Sequence, residues 1–243
     1  MLEGLFAAAA GMNAQQEELD AIGNDLANVN TTGYKALRTA FSDLLYNEVE
    51  DAGTKTTSGA GSKETPIGRI QTQGTMRETG NPLDLAIVGQ GYFVVTMPGG
   101  QTALTRDGGF SVDASGALVN EYGYRLSPRI TVPKGISESE LRVGVDGTVS
   151  ANGKRLGKLQ VVTVAAPAHL NSEGDSMFSV TAASGAAHAA TGASVKQGSL
   201  EESNVDMTRE LTALVTTQRA FQMTSTAVQN ESQMLAIANQ LRP

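Results

Sequence analysis

Few residues of this 243-residue chain could carry out chemistry, and they do not form a recognisable catalytic or metal site. The two histidines, His169 and His188, lie in Ala- and Gly-rich stretches without an Asp or Glu pair at metal-ligand spacing beside them. The absence of cysteine excludes thiolate metal sites, disulfides and a cysteine nucleophile. No set of Ser, His and Asp can be argued from spacing. The sequence therefore predicts no cofactor, no bound metal and no enzymatic activity.

Two Gly-rich motifs resemble nucleotide-binding loops but lack the features that such loops need. Gly89-Gln90-Gly91 has no third glycine, and a predicted strand follows where a dinucleotide-binding motif requires a helix. Gly59-Ala60-Gly61-Ser62-Lys63 lacks the Gly-Lys-Ser/Thr order that precedes the helix of a P-loop. Asp113-Ala114-Ser115-Gly116 and Asp146-Gly147 lack the alternating oxygen ligands of a calcium loop, so we interpret them as hairpin turns.

Long helices with a seven-residue hydrophobic repeat are predicted at both ends of the chain. The first helix spans residues 2 to about 29, and the second runs from near Ser203, with Asp206 in a capping-box pattern, almost to Leu241. An average period of 3.5 residues keeps one stripe facing a partner, which is the condition for a coiled coil, although such a stripe also fits a helix packed on its own domain. The helices could pair with each other, with neighbouring copies, or with both. The predicted assembly seam consists of Leu5, Met12, Leu19, Ile22, Leu26, Met207, Leu211, Leu214, Phe221, Val228 and Leu235.

Between the helices the hydrophobic period falls to two, and Asp-Gly and Asn-Gly turns recur at short intervals. Gly91–Thr96 and Ala103–Thr105 are predicted strands, and Gly157–Ala166 is the clearest buried strand. Leu37–Val49 is moderately helical, with an extended alternative, and Asp51–Pro66 is predicted to be a flexible loop because it has few apolar residues.

These patterns predict an α+β fold in which long N- and C-terminal helices form a coiled-coil-like helical domain and antiparallel hairpins form a β-rich middle domain. The expected boundaries are an N-terminal helix at 1–34, a connecting segment and flexible loop at 35–70, a β-rich outer domain at 71–200 and a C-terminal helix at 201–243.

The charge and hydropathy of the chain limit its partners. A net charge of −7 argues against nucleic acid or anionic lipid as the main partner. No apolar run approaches the ~20 residues that cross a bilayer, so membrane insertion is not predicted. Leu5–Gly11 is similar to a fragment of a signal sequence, but no basic residue precedes it and the heptad pattern continues through it. We therefore expect this segment to remain in the mature protein as part of the first helix.

The segment that ends the first helix contains the residue with the sharpest conformational prediction. Asn30-Thr31-Thr32-Gly33-Tyr34 must redirect the chain within a few residues. Gly33 is predicted to have a positive φ, because only glycine reaches that region without a side-chain clash.

Four blocks of sequence resemble the bacterial flagellar rod and hook protein family. The first runs from Asp25 through the signature residues Ala27, Asn28, Thr31, Thr32, Gly33, Tyr34 and Lys35. The others are Thr79–Ile87 with Gly89–Phe93, Thr105–Gly108 with Phe110, and Gln197–Asp206 followed by Gln218–Phe221. The blocks occur in the family's order over nearly the whole chain. Within the family, the chain length and the Ile130–Pro133 and Val145–Ser150 segments are most similar to subunits of the distal rod, with proximal rod and hook-like subunits as the alternatives.

The resemblance implies a structural subunit that polymerises with itself into a helical tube and transmits torque through the cell envelope. It also implies terminal helices that line the tube, a β-rich domain outside, contacts with other rod and hook axial proteins, and export by the flagellar export apparatus without a cleaved signal peptide. The expected location is the flagellar basal body. The competing interpretation is a secreted β-rich adhesin or enzyme whose helices serve only to trimerise or anchor it.

Overall fold

The computed structural model describes residues 2–43, 47–51, 54–58 and 61–240, and these residues confirm an α+β fold with an antiparallel, β-rich middle. The chain divides into two compact units. The helical unit contains the described residues of Met1–Ala27, Leu37–Ile67 and Asp206–Pro243. The β unit contains Asn28–Ala36 and Gly68–Val205.

The helical unit is built on two long helices, α1 (Leu2–Ala27) and α2 (Met207–Gln240), which pack against each other. They run antiparallel, because the two ends of α1 lie near opposite ends of α2. A Cβ atom at Gly4 would lie 3.5 Å from the Glu231 carboxylate. Burial raises the pKa of Glu210, and the nearby charge of Asp25 raises it further. Both long helices were predicted from the hydrophobic repeat. Because α1 and α2 contact each other within one chain, at least part of the predicted helix pairing is intramolecular.

The start of α2 differs from the prediction that placed it near Ser203. The helix begins at Met207, and Asp206 caps it by accepting hydrogen bonds from the backbone N–H groups of Thr208 (3.0 Å) and Arg209 (3.3 Å). Ser203 instead accepts a bond from Val205 N–H (3.3 Å). A short acidic side chain directly before the first helical turn accepts hydrogen bonds from two backbone N–H groups that would otherwise be unpaired. Its negative charge is also stabilised by the positive end of the helix dipole.

The helical unit also contains an extended excursion after α1. Its strands are β1 (Leu37–Asp43), β2 (Asn47–Asp51), β3 (Thr54–Ser58) and β4 (Ser62–Arg69), of which the last two residues of β4 are counted in the β unit. β1 pairs with β4, and β2 pairs antiparallel with β3 from Asn47–Ser58 to Asp51–Thr54. The chain entering β4 lies close to α1, because a Cβ atom at Gly61 would be 2.9 Å from both the Ala10 Cβ and the Ala7 carbonyl oxygen.

The helical prediction for Leu37–Val49 was wrong and its extended alternative is confirmed at the described residues, since β1 and β2 occupy them; positions 44–46 lie outside the described residues. Asp51–Pro66 is not an irregular loop where the structure describes it, and positions 52, 53, 59 and 60 lie outside the described residues. Ladder hydrogen bonds between strands satisfy backbone groups without requiring a local apolar pattern. For that reason a polar, Thr-rich segment forms strands here.

The β unit consists of sixteen strands among the described residues. In chain order they are β5 (Met76–Glu78), β6 (Leu85–Val88), β7 (Tyr92–Thr96), β8 (Thr102–Thr105), β9 (Phe110–Val112), β10 (Leu118–Asn120), β11 (Arg125–Ser127), β12 (Leu141–Val143), β13 (Thr148–Ala151), β14 (Lys154–Lys158), β15 (Val161–Thr163), β16 (Asn171–Gly174), β17 (Met177–Ser179), β18 (His188–Ala189), β19 (Ser194–Gln197) and β20 (Ser199–Glu201). Nine of them form one antiparallel sheet with the order β16-β17-β8-β7-β11-β10-β9, in which β15 joins β7 and β18. β12-β13-β14 form a second sheet, and β6–β19 and β5–β20 form two-stranded sheets.

Strand β7 lies between the two hydrophobic clusters of the β unit. Phe93 and Val95 contribute to the larger cluster, and Tyr92 and Val94 contribute to the smaller one with Phe178. Successive strand residues point to opposite faces, so a continuous apolar run is buried on both sides. This confirms the strands predicted at Gly91–Thr96 and Ala103–Thr105. The single strand predicted at Gly157–Ala166 is instead split between β14 and β15.

Candidate functional site

Four segments of the β unit meet at a buried junction of charged and polar side chains. They are Asn28–Ala36, which follows α1 in the chain, residues 69–74, residues 105–108, and residues 199–204, which lead toward α2. We call this set the ionic junction. Three of the four segments carry the sequence blocks on which the family resemblance is based.

Glu201 is at the centre of the ionic junction. Its Oε1 accepts hydrogen bonds from Lys35 Nζ (2.5 Å) and Gly74 N–H (3.0 Å), and its Oε2 accepts one from Arg106 Nη1 (2.8 Å). The carboxylate therefore has a partner on each oxygen. Lys35, Arg106 and Glu201 are respectively 0%, 4% and 1% exposed, so the three charges are removed from water together.

The excess positive charge of the junction is balanced by backbone carbonyl groups. Lys35 Nζ donates to Thr72 O (2.7 Å), and Arg106 donates to Ile87 O (3.1 Å) and Gly89 O (2.5 Å). Burial lowers the pKa of Lys35, whereas the hydrogen bond and charge of Glu201 raise it. Losing one partner of such a buried group costs about 3–5 kcal/mol, because the remaining charges stay buried without compensation.

Gly33 brings the segment that follows α1 into the junction. Its φ of +66° confirms the predicted left-handed conformation. A Cβ atom at Gly33 would lie 2.5 Å from both Arg106 C and Asp107 N, and Gly33 N–H donates to Glu201 O (2.8 Å). Thr32 adds a hydrogen bond to Asp107 Oδ1 (2.7 Å). Glycine is thus required at position 33 both by backbone conformation and by space.

Asn204 joins the segments on the other side of the junction. Its Oδ1 accepts from Ala36 N–H (2.7 Å), while its Nδ2 donates to Ile70 O (2.8 Å) and Thr72 O (3.1 Å). Arg69 donates to Lys35 O (2.7 Å) and lies 5.2 Å from the centre of the Tyr34 ring. These contacts hold the segment after α1 and the segment before α2 against the same backbone.

The ionic junction is built to hold chain segments together and has no reactive group available for catalysis. Glu201 is saturated by donors and inaccessible to a substrate, so it cannot act as a general acid or base. His169 and His188 are both exposed. Within the described ranges, no group of three or more potential ligands could hold a metal ion, and no helix is long and apolar enough to span a bilayer.

The predicted seam residues are distributed over the facing and outer sides of the helix pair. Ile22 is 6% exposed, whereas Met207 and Leu211 are 49% and 47% exposed. Half-buried positions are Leu5, Met12, Leu19, Leu26, Leu214, Phe221 and Val228. The side chain of Leu235 lies outside the described residues. Ala14 and Thr217, which are 2% and 7% exposed, were missed because small and polar residues give no heptad signal.

The predicted signature residues Tyr34 and Lys35 are buried, whereas their partners Arg106, Glu201 and Asn204 were not predicted as site residues. Each partner lies in one of the quoted sequence blocks. The sequence signal that could have identified the two charged partners is the occurrence of a charged residue inside a block that is otherwise rich in Gly, Thr and Asn.

Comparison with known proteins gives matches over most of the chain. Family models match at residues 5–35 (flagella basal body rod protein), 86–151 (flagellar hook protein FlgE/F/G D1 domain) and 196–241 (flagellar basal body rod FlgEFG protein C-terminal). The matched regions contain Lys35, Arg106 and Glu201.

Curated relatives match over their full length. The chain is 40% identical to the flagellar basal-body rod protein FlgG of Caulobacter vibrioides, covering 99% of this chain and 100% of the relative. It is 36% identical to FlgG of Bacillus subtilis, with 97% of each chain covered. It is also 32% identical to the flagellar hook-basal body complex protein FlhP of Bacillus subtilis, with 100% of each chain covered.

Proposed function

This chain belongs to the family of flagellar basal-body rod proteins, and we propose that it is a subunit of the distal rod that polymerises into a helical tube and transmits torque. Membership in this family makes it a structural protein rather than an enzyme. The observation that carries the distal assignment is full-length similarity to several proteins named FlgG, at 31% to 40% identity. The domain boundaries predicted at 1–34, 35–70, 71–200 and 201–243 remain part of this proposal.

The proposed mode of assembly is packing of helices from neighbouring copies into a coiled-coil-like core. One chain leaves apolar side chains uncovered on its helices, and these support a role for further helix–helix contacts. They are Phe6 on α1 and Met207, Leu211, Val215, Met223, Met234 and Ile237 on α2. Contacts of this kind that do not close on themselves generate helical filaments. Met207 and Leu211 of the predicted seam then serve contacts between copies, and Ile22 serves the contact within one chain.

The proposed partners are further copies of this chain, other rod and hook axial proteins, and the flagellar export apparatus. The proposed location is the basal body within the cell envelope. The names of the relatives, which are rod and hook-basal body proteins, support these assignments.

A hook-like or proximal axial position is the second candidate. It is supported by the similarity to FlhP, a hook-basal body complex protein, over the full length of both chains. The rod layer that contains the chain distinguishes the two positions.

Electron cryomicroscopy of basal bodies purified from the source bacterium tests the proposal. Subunits built from this sequence are expected in the rod layer next to the hook, and deletion of the gene is expected to stop rod growth below that layer. A cell that lacks the chain but completes its rod and hook would contradict the distal assignment. Density for the chain only at the base of the rod would support the proximal alternative.

A further inference from the structure

Glu64 is a buried acidic side chain whose carboxylate forms no ion pair with a described residue, and neither the resemblance nor the ionic junction accounts for it. It lies in β4 of the helical unit and is 2% exposed. Neither of its carboxylate oxygens accepts a hydrogen bond of good geometry from a described residue, and the Thr39 hydroxyl acts on it only as a weak donor that lowers its pKa. This contrasts with Glu201, whose oxygens accept three hydrogen bonds. A buried ionised carboxylate without donors is strongly disfavoured, whereas the neutral acid is tolerated.

The groups around Glu64 increase this preference for the neutral form. α1 contributes three acidic side chains, Glu17, Glu18 and Asp20, and two of these line a cavity of about 470 Å³ that Glu64 also borders. Lys63 of β4 borders the cavity too but forms no ion pair with Glu64. β1 contributes the Thr39 hydroxyl, while the neighbouring Arg38 is exposed and belongs to the opposite face of the strand.

We propose that Glu64 is a proton-binding site that makes the packing of β4 in the helical unit depend on pH. Glu64 takes up a proton when β4 packs beside α1 and releases it when β4 separates from α1. Burial raises the pKa of Glu64, and the charges of Glu18 and Glu17 raise it further, against a lowering by Thr39. The inference does not depend on rod assembly, because it concerns one chain.

The direction of the pH dependence follows from proton linkage. Packed β4 binds one more proton than separated β4 between the ordinary pKa of glutamate and the raised pKa. Packing is therefore most favourable below the ordinary pKa and becomes less favourable as the pH rises through the raised value. A glutamine at position 64 mimics the neutral acid and removes this dependence.

Carbon NMR of the full chain with labelled glutamate carboxyl groups measures the titration directly. The resonance lost in Glu64→Gln identifies Glu64. Its midpoint is expected above the ordinary glutamate value, and Glu18→Gln is expected to lower that midpoint by removing a neighbouring negative charge. A midpoint at or below the ordinary value would overturn the proposal.

Urea unfolding followed at several pH values tests the coupling. Above the raised midpoint, Glu64→Gln is expected to unfold at a higher urea concentration than the wild type, and the difference should disappear as the pH falls. Glu138→Gln, at an exposed position of the β unit, serves as the control and should leave the pH dependence unchanged. A Glu64→Gln chain that is less stable than the wild type at neutral pH, or that fails to fold, would refute proton binding, since it would show that the ionised carboxylate is required.

Discussion

Gly33 is the residue at which local backbone conformation and long-range packing impose the same requirement. Its φ is +66°, and a side chain would meet the backbone of Arg106 and Asp107 at 2.5 Å. Gly80 has a similar φ of +73°, but no atom lies within 4 Å of the position of its missing Cβ. The two glycines therefore separate backbone strain from steric exclusion.

We expect Gly33→Val to lower the free energy of unfolding by about 3 kcal/mol, and Gly80→Val by about 1–2 kcal/mol. Only the first substitution adds overpacking to backbone strain. Urea denaturation of the full chain, followed by circular dichroism, measures both. An equal decrease in the free energy of unfolding in the two variants would mean that close packing against residues 106–107 does not contribute to the cost of Gly33→Val. We also expect Gly33→Val to abolish rod assembly, because every subunit would repeat the same misdirection of the chain.

The ionic junction gives the second prediction at the residue scale. Glu201→Gln leaves Lys35 and Arg106 buried without a counter-charge and should cost about 3–5 kcal/mol. Glu202→Gln is the matched control: its ion pair with Arg77 is 3.1 Å long, but the two side chains are 41% and 56% exposed. Such a pair contributes at most about 1 kcal/mol. A Glu201→Gln chain as stable as Glu202→Gln, by urea denaturation, would show that the junction does not hold the β unit together.

The two faces of α2 are distinguished at the scale of the element. Phe221 is half-buried within one chain, whereas Met223, two residues later, is 74% exposed. The first is suited to contact within the helical unit and the second to contact with another copy. The helix also has an exposed polar neighbour, Gln222, between them.

Phe221→Asp should lower the stability of the helical unit by about 2–4 kcal/mol, because the substitution removes packing and places a charge at a partly buried position. Met223→Asp should leave the unfolding of the isolated chain unchanged and block rod assembly and swimming. Gln222→Asp should affect neither. Thermal unfolding at 222 nm and swimming assays measure these effects. If a Met223→Asp strain swims normally, the exposed face of α2 does not take part in the proposed contacts between copies.

At the scale of the molecule, the β unit contains both hydrophobic clusters and the complete ionic junction. Among the described residues, neither cluster includes a residue of α1 or α2. The helices, in contrast, leave large apolar side chains exposed in one chain. Folding of the β unit and assembly of the rod are therefore expected to be separable.

A fragment of residues 28–205 should fold and unfold cooperatively while failing to restore swimming to a deletion strain. A fragment of residues 37–205, which lacks Gly33 and Lys35, should be less stable by several kcal/mol, roughly the cost of a broken buried ion pair. Circular dichroism and NMR dispersion of the two fragments measure the difference. An unfolded 28–205 fragment would contradict independent folding of the β unit.

Local pattern was sufficient for the helices, for strand β7 and for Gly33. A seven-residue repeat, an apolar run bounded by glycines and the end of a helix each carry their information within about ten residues. The predicted start of α2 was too early in the chain, because both Ser203 and Asp206 are residue types that cap helices. Only the path of the backbone selects Asp206 as the cap.

Tertiary structure decided the features that depend on residues far apart in the chain. β1 to β4 form because strands pair with one another, although their sequence has little apolar content. Lys35 and Glu201 are 166 residues apart, and Arg106 and Glu201 are 95 apart, so no local spacing could connect them. The sequence by itself determined the family, the helices and the conformation of Gly33. The fold alone decided which charges share a buried site, since that depends on the three-dimensional path that removes them from water.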